Sequence, residues 1–153
     1  MPPELPLSTG PAAESAHDRA VALLVKGDVR AAVTAFRGAI TEDPCFALGH
    51  AGLAVALSAL TDEDDREDAV EALAQARRCS RRLSRRERHH VEVVLLALRG
   101  RTSRASALGR EHLDEFPADT VVRFTLERWC ADQVAGEARS ASSSSSDAEA
   151  PRS

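Results

Sequence analysis

An internal repeat constrains this sequence more than any other feature. Displaced by 73 residues, His17 falls on His90, Leu23 on Leu96, Gly27 on Gly100, Ala32 on Ala105, Glu42 on Glu115 and Pro44 on Pro117. Each copy sets Ala five residues after Gly, and Pro twelve after that Ala. A chain that repeats its punctuation repeats its local structure. Gly27 follows an apolar run from Val21 to Val25 and ends a helix without the Cβ penalty; Asp28 then caps the next one. Ala32, Phe36 and Ala39 continue one face at helical spacing, and Pro44 stops the second helix. The unit is helix, tight turn, helix, proline turn.

A weaker middle copy lies between. Leu53, Ala54 and Leu57 share a face in its first helix, and Ala69, Leu73 and Ala76 repeat the spacing of Ala32, Phe36 and Ala39. Its turn is acidic and about three residues longer, and it lacks the closing Pro. The third copy departs at Gly109 and His112, where the first has Phe36 and Ala39. The pattern predicts seven helices near 13–26, 29–42, 46–60, 65–80, 84–99, 101–115 and 119–134, the last capping the third hairpin.

Composition agrees with an all-α chain. There are 28 Ala, no Tyr, no Asn and 3% aromatic residues in 153. Strands need β-branched and aromatic alternation, and single-stranded nucleic acid needs stacking aromatics; both are scarce. Residues 12–135 are expected to form the domain, with a Pro-rich disordered tail at 1–11 and a Ser-rich one at 136–153. No apolar run is long enough to span a membrane, and no basic leader precedes the domain. Cys45, Cys79 and Cys130 lack metal-like spacing and read as reduced thiols of a cytoplasmic protein.

The stretch Gly27 to Pro44 resembles the second-helix pattern of the tetratricopeptide repeat, a hairpin of about 34 residues. A second stretch narrows this. Leu83-Ser84-Arg85-Arg86-Glu87-Arg88-His89-His90-Val91 leads through Gly100 to Pro117-Ala118-Asp119, and looks like the tetratricopeptide repeat protein 38-like family. The resemblance implies a right-handed superhelical stack of about three hairpins plus a capping helix, with no catalytic residues and no cofactor. Family members are longer, so a truncated solenoid without independent function is one alternative. Another comes from Leu83-Ser84, Arg86-Glu87-Arg88 and later Thr120-Val121, which also resemble the helix-turn-helix of LuxR-type regulators. The repeat register of Gly100 and Pro117, and a net charge of −4, argue against that DNA-binding reading of 83–122.

Binding rather than catalysis is the expectation. The chain has no G-x-S-x-G, no phosphate loop and no H-E-x-x-H. In a stack of such hairpins the first helices line a concave face. That register assigns His17, Val21, Leu24, Leu48, Val55, His90, Val94 and Leu98 to a groove for a protein or peptide partner. A second candidate is a stripe of Arg78, Arg82, Arg85 and Arg86, whose guanidinium forks suit phosphate or acidic peptides if one helix carries them all. The competing reading is a solvated face whose charges complement helix dipoles, with acids at 61–71 and arginines at 77–88.

Overall fold

A computed structural model describes residues 7–131. Seven helices form there: α1 Pro11–Lys26, α2 Val29–Glu42, α3 Ala47–Ser58, α4 Glu63–Arg78, α5 Arg85–Leu98, α6 Thr102–Glu115 and α7 Thr120–Trp129. No strand occurs among the described residues. The described residues are all-helical in class, and their helix limits follow the sequence punctuation to within about two residues at most ends. The expected seventh helix runs on into 132–134, and those residues lie outside the described ones, as does the Ser-rich tail.

The repeat is visible in the backbone hydrogen bonds. Gly27 and Gly100 both take left-handed conformations, with φ of 94° and 79°. Behind them, Asp28 N–H donates to the Leu23 carbonyl at 3.0 Å and Arg101 N–H to the Leu96 carbonyl at 2.8 Å. A non-glycine residue here would carry the steric penalty of positive φ. The second helices close alike, through Asp43 N–H to Ala39 and Phe116 N–H to His112. The following turns also match, through Phe46 N–H to Asp43 and Asp119 N–H to Phe116.

Each hairpin is built by close packing of its two helices, α1 on α2, α3 on α4 and α5 on α6. Ala32, Ala69 and Ala105 sit at these crossings, with exposures of 0%, 4% and 0%. Small side chains there let the helix axes approach. Helix α3 is wrapped on all sides: eleven of its twelve residues are buried, which is why it is Ala- and Leu-rich all round. At Gly109 the departure from the repeat has a packing reason. A Cβ there would lie 2.5 Å from Cδ1 of Leu126, so α7 rests its leucine where the first copy carries Phe36 on its own second helix. Gly109→Ala should therefore overpack this contact and cost about 1–3 kcal/mol, read from the shift in a urea midpoint.

Three sequence expectations need correction. Cys45 and Cys79 are not separate thiols; they are disulfide-bonded, with Cα atoms 5.2 Å apart, and only Cys130 is free. Each stands just past the second helix of its hairpin, so packing the first two hairpins together brings them into reach. The N-terminal tail is partly tied down. Thr9 Oγ1 donates to Asp43 at 2.6 Å, Ser8 binds Glu87, and α1 starts at Pro11; residues 1–6 lie outside the described ones. Finally, α7 does more than cap the third hairpin. It packs on α5 and α6 and also reaches back to α1. Arg128 ties it to the end of α3, donating to the Ala59 carbonyl at 3.3 Å.

Candidate functional site

Because α7 turns back onto α1, the odd-numbered helices face one another across the middle of the molecule. The expected groove is consequently filled. Leu24, Leu48, Val55 and Val94 are core residues, exposed by 0%, 3%, 0% and 0%, while Val21 and Leu98 are half-buried. A Val55→Glu or Val94→Glu change would bury a charge and report on folding, not on docking. What stays open is a pocket of about 180 Å³ at one end of this inner seam. It gathers five of the expected site residues, His17, Val21, Leu48, Arg86 and His90, together with Asp119, which sequence reasoning missed.

Asp119 organises that end. It is the N-cap of α7, and its Oδ1 accepts from Val122 N–H at 3.2 Å. Its Oδ2 lies 2.7 Å from His90 Nδ1 and 2.8 Å from His112 Nε2. The side chains of His90 and His112 are exposed by 3% and 0%, and that of Asp119 by 9%. Burial alone would raise the Asp119 pKa. Attraction to His90, with hydrogen bonds from His112, His90 and the Val122 backbone, outweighs it and holds the carboxyl well below the usual range. An ionised carboxylate only accepts, so both imidazoles must donate to it, which fixes the nitrogen each presents. His90 Nε2 and His112 Nδ1 are then left buried without a hydrogen-bond partner.

The equivalent place in the first copy is built differently. His17 corresponds to His90, but Phe46 stands where the later copy has Asp119, and Phe36 where it has Gly109. The His17 ring meets Phe36 and Phe46 edge-on, with centroids 5.7 and 5.2 Å away. Neither ring nitrogen has a hydrogen-bond partner, and the nearest carboxylate oxygen, on Asp18, is 4.0 Å distant. Burial in this apolar setting, reinforced by His90, lowers the His17 pKa to about 4; Asp119 and the Leu48 backbone pull weakly the other way. The ring is neutral at ordinary pH. The histidine is thus held among apolar rings on one repeat and given a carboxylate partner at one nitrogen on the next.

A strap crosses this end. Ser8 donates to buried Glu87 from its backbone N–H at 3.2 Å and from its hydroxyl at 2.8 Å, and Ser84 Oγ adds a third donor at 3.0 Å. These bonds satisfy a carboxylate that is only 3% exposed, and they set Leu7 against the pocket.

The expected arginine stripe does not form. Its premise was one continuous helix, but α4 ends at Arg78 and α5 begins at Arg85, so Arg82 lies in the connection. Arg78 approaches Glu71 at 3.9 Å, Arg85 pairs with Glu115 at 3.2 Å, and Arg86 lies over the Phe116 ring. Another set of arginines gathers instead. Arg77, Arg88, Arg99, Arg101 and Arg104 surround a cleft of about 470 Å³ between the end of α4, α5 and the start of α6. None of the five forms an ion pair among the described residues, and Glu92 is the one acid on the rim. Val91, Leu95 and Leu96 supply an apolar floor.

No group of three His, Cys, Asp or Glu among the described residues is placed to hold a metal ion. No helix of the described chain is long and apolar enough to cross a membrane. Free Cys130 is buried, which pushes its thiol pKa up and makes it a poor nucleophile. Comparison with family models, curated proteins and solved structures found no match. The resemblance to a tetratricopeptide family therefore stands on the sequence pattern alone.

Proposed function

We propose that this protein is a non-enzymatic helical-repeat module, of the tetratricopeptide type, that binds an acidic segment of a partner protein in the arginine cleft between α4, α5 and α6. The observation that carries this reading is the set of five arginines with no ion pair among the described residues, gathered over an apolar floor. Clustered guanidiniums repel one another, so an anion that spans them gains charge-assisted hydrogen bonds while relieving that repulsion. The floor distinguishes the partner. Val91, Leu95 and Leu96 offer nothing to a phosphate backbone, but they suit the apolar stripe of an acidic amphipathic helix. A chain of net charge −4 also repels duplex DNA outside this one cleft. Stacked hairpins supply a rigid frame for such a surface. The Cys45–Cys79 bond would persist in an oxidising compartment, and a cytoplasmic setting would keep both thiols reduced.

The test is fluorescence anisotropy with a labelled amphipathic peptide of Glu and Leu. Binding should weaken with added salt. The Arg99→Glu, Arg104→Glu double variant should lose at least about tenfold in affinity, or ~1.4 kcal/mol. Unchanged affinity in that variant would sink the cleft as the binding surface. Tighter binding of duplex DNA than of the peptide would return the helix-turn-helix reading.

A further inference from the structure

The pocket at the α1–α5–α7 end is a different site with a different chemistry. Its walls are charged in opposite senses. Helix α1 contributes Glu14 and Asp18, one turn apart, and α5 contributes Arg86. Between them stand two buried imidazoles, His17 and His90, exposed by 5% and 2%. Both nitrogens of His17 and Nε2 of His90 lack a partner. Buried polar nitrogens in a native structure are almost always satisfied, by protein, water or ligand, and three together beside one pocket need an account. Val21, Leu48 and Val121 supply the aliphatic part of the wall, and Thr120 and Asp119, the latter already bound to two imidazoles, also line it.

We propose that this pocket binds a small aliphatic amino acid in its zwitterionic form. The ammonium would face Glu14 and Asp18, the carboxylate would face Arg86, and a short side chain would lie on Val21, Leu48 and Val121. The imidazoles suit the middle of such a ligand. Asp119 holds His90 at Nδ1, which leaves Nε2 as the ring nitrogen without a partner. His17, kept neutral by burial, can accept on one nitrogen and donate from the other. A cavity of about 180 Å³ holds roughly six water volumes, which admits a small amino acid and excludes a peptide. A simple anion would meet repulsion from Glu14 and Asp18, and a simple amine would meet it from Arg86. The zwitterion matches both walls. Leu7, held by the Ser8–Glu87 bonds, lies at the edge of the pocket.

NMR titration of the full chain tests this, with L-valine, isobutylamine and isovalerate as probes that share the same isopropyl group and Cα carbon. L-valine should shift the amides of Glu14, His17, Arg86, His90 and Thr120 saturably, with an affinity at least about tenfold above either single-charge analogue. Arg86→Gln should weaken L-valine by about tenfold without weakening isobutylamine, and Glu14→Gln should weaken L-valine without weakening isovalerate. Glu14 and Arg86 are only half-buried, so neither change opens the core, and a thermal melt of each variant confirms that it is folded. Absence of saturable shifts at the pocket with L-valine would overturn the proposal, because the orphaned nitrogens would then be met by water alone. Equal affinity for the three probes would overturn it as well. Neither result bears on the arginine cleft, whose partner is read with a different probe.

Discussion

Replacing Asp119 with Ala should cost about 3–5 kcal/mol of folding stability, the range expected when one partner of a buried ionic network is removed. Three losses combine. His90 Nδ1 and His112 Nε2, each within 2.8 Å of Oδ2, lose their acceptor in a site where both rings are buried. Helix α7 loses its N-cap bond to Val122 N–H, which by itself is worth about 0.5–2 kcal/mol. Release of α7 would then uncover Val121, Val122 and Leu126, which close the inner seam. Asp119→Asn separates these parts. It can keep the cap through Oδ1, but its NH2 then stands where Oδ2 was and sets a donor against both imidazoles. It should therefore retain most of the loss without unhooking the helix. Urea denaturation of both variants, with a double-mutant cycle through His90→Ala, reads the interaction directly. A loss below about 1 kcal/mol for Asp119→Ala would mean that the three side chains are independently hydrated and organise nothing.

The local structure was legible in the sequence because it is punctuated locally. Gly27, Gly100, Asp28, Pro44 and Pro117 each act within a turn or two, and the helix ends fall beside them. The site was legible only in part. His17 and His90 stood out through the repeat register, but the atom that gives His90 its role belongs to Asp119, 29 residues away. A clue did exist in the places where the copies differ. Phe36, Ala39 and Phe46 become Gly109, His112 and Asp119, an apolar set exchanged for a polar one at equivalent positions. Read as loosened packing, that exchange hides a network; read as coordinated substitution, it announces one. The arginine stripe failed for a different reason. Spacing by four has meaning only on an unbroken helix, and the break between Arg78 and Arg85 dispersed the set. The cleft arginines lie on α4, α5, the α5–α6 turn and α6, not on one helix, so only tertiary packing assembles them. The disulfide is likewise a product of packing between hairpins, with 34 residues separating its two cysteines.

Acid should unfold this protein in two stages, and the first belongs to His17. Its pKa in the folded state is lowered to about 4, against an ordinary value of 6.5. The unfolded chain therefore takes up a proton as pH falls through 6.5, while the folded chain refuses it until about 4. Stability is full above 6.5, declines across that window and levels off below it, for a total of about 3 kcal/mol. Charged groups around the ring do not rescue it. Glu14 and Asp18 share its helix, Arg86 and His90 approach from α5, and Asp119 from α7 is already committed to two imidazoles. The second stage is Asp119 itself, whose lowered pKa contributes stability above about 4 that is lost as pH falls further. His17→Leu distinguishes the stages. It places an apolar group against Phe36 and Phe46, leaves no ring to protonate, and should flatten the stability profile between pH 6.5 and 4 while sparing the later fall. Denaturant midpoints measured across that range, for wild type and variant together, decide the matter. A wild-type slope that survives in His17→Leu would assign the first stage to another group. The physical root is the difference between the two repeats: the same histidine position is paired with a carboxylate in one copy and with phenylalanine rings in the other, and it is among those rings that burial makes the His17 ring refuse a proton.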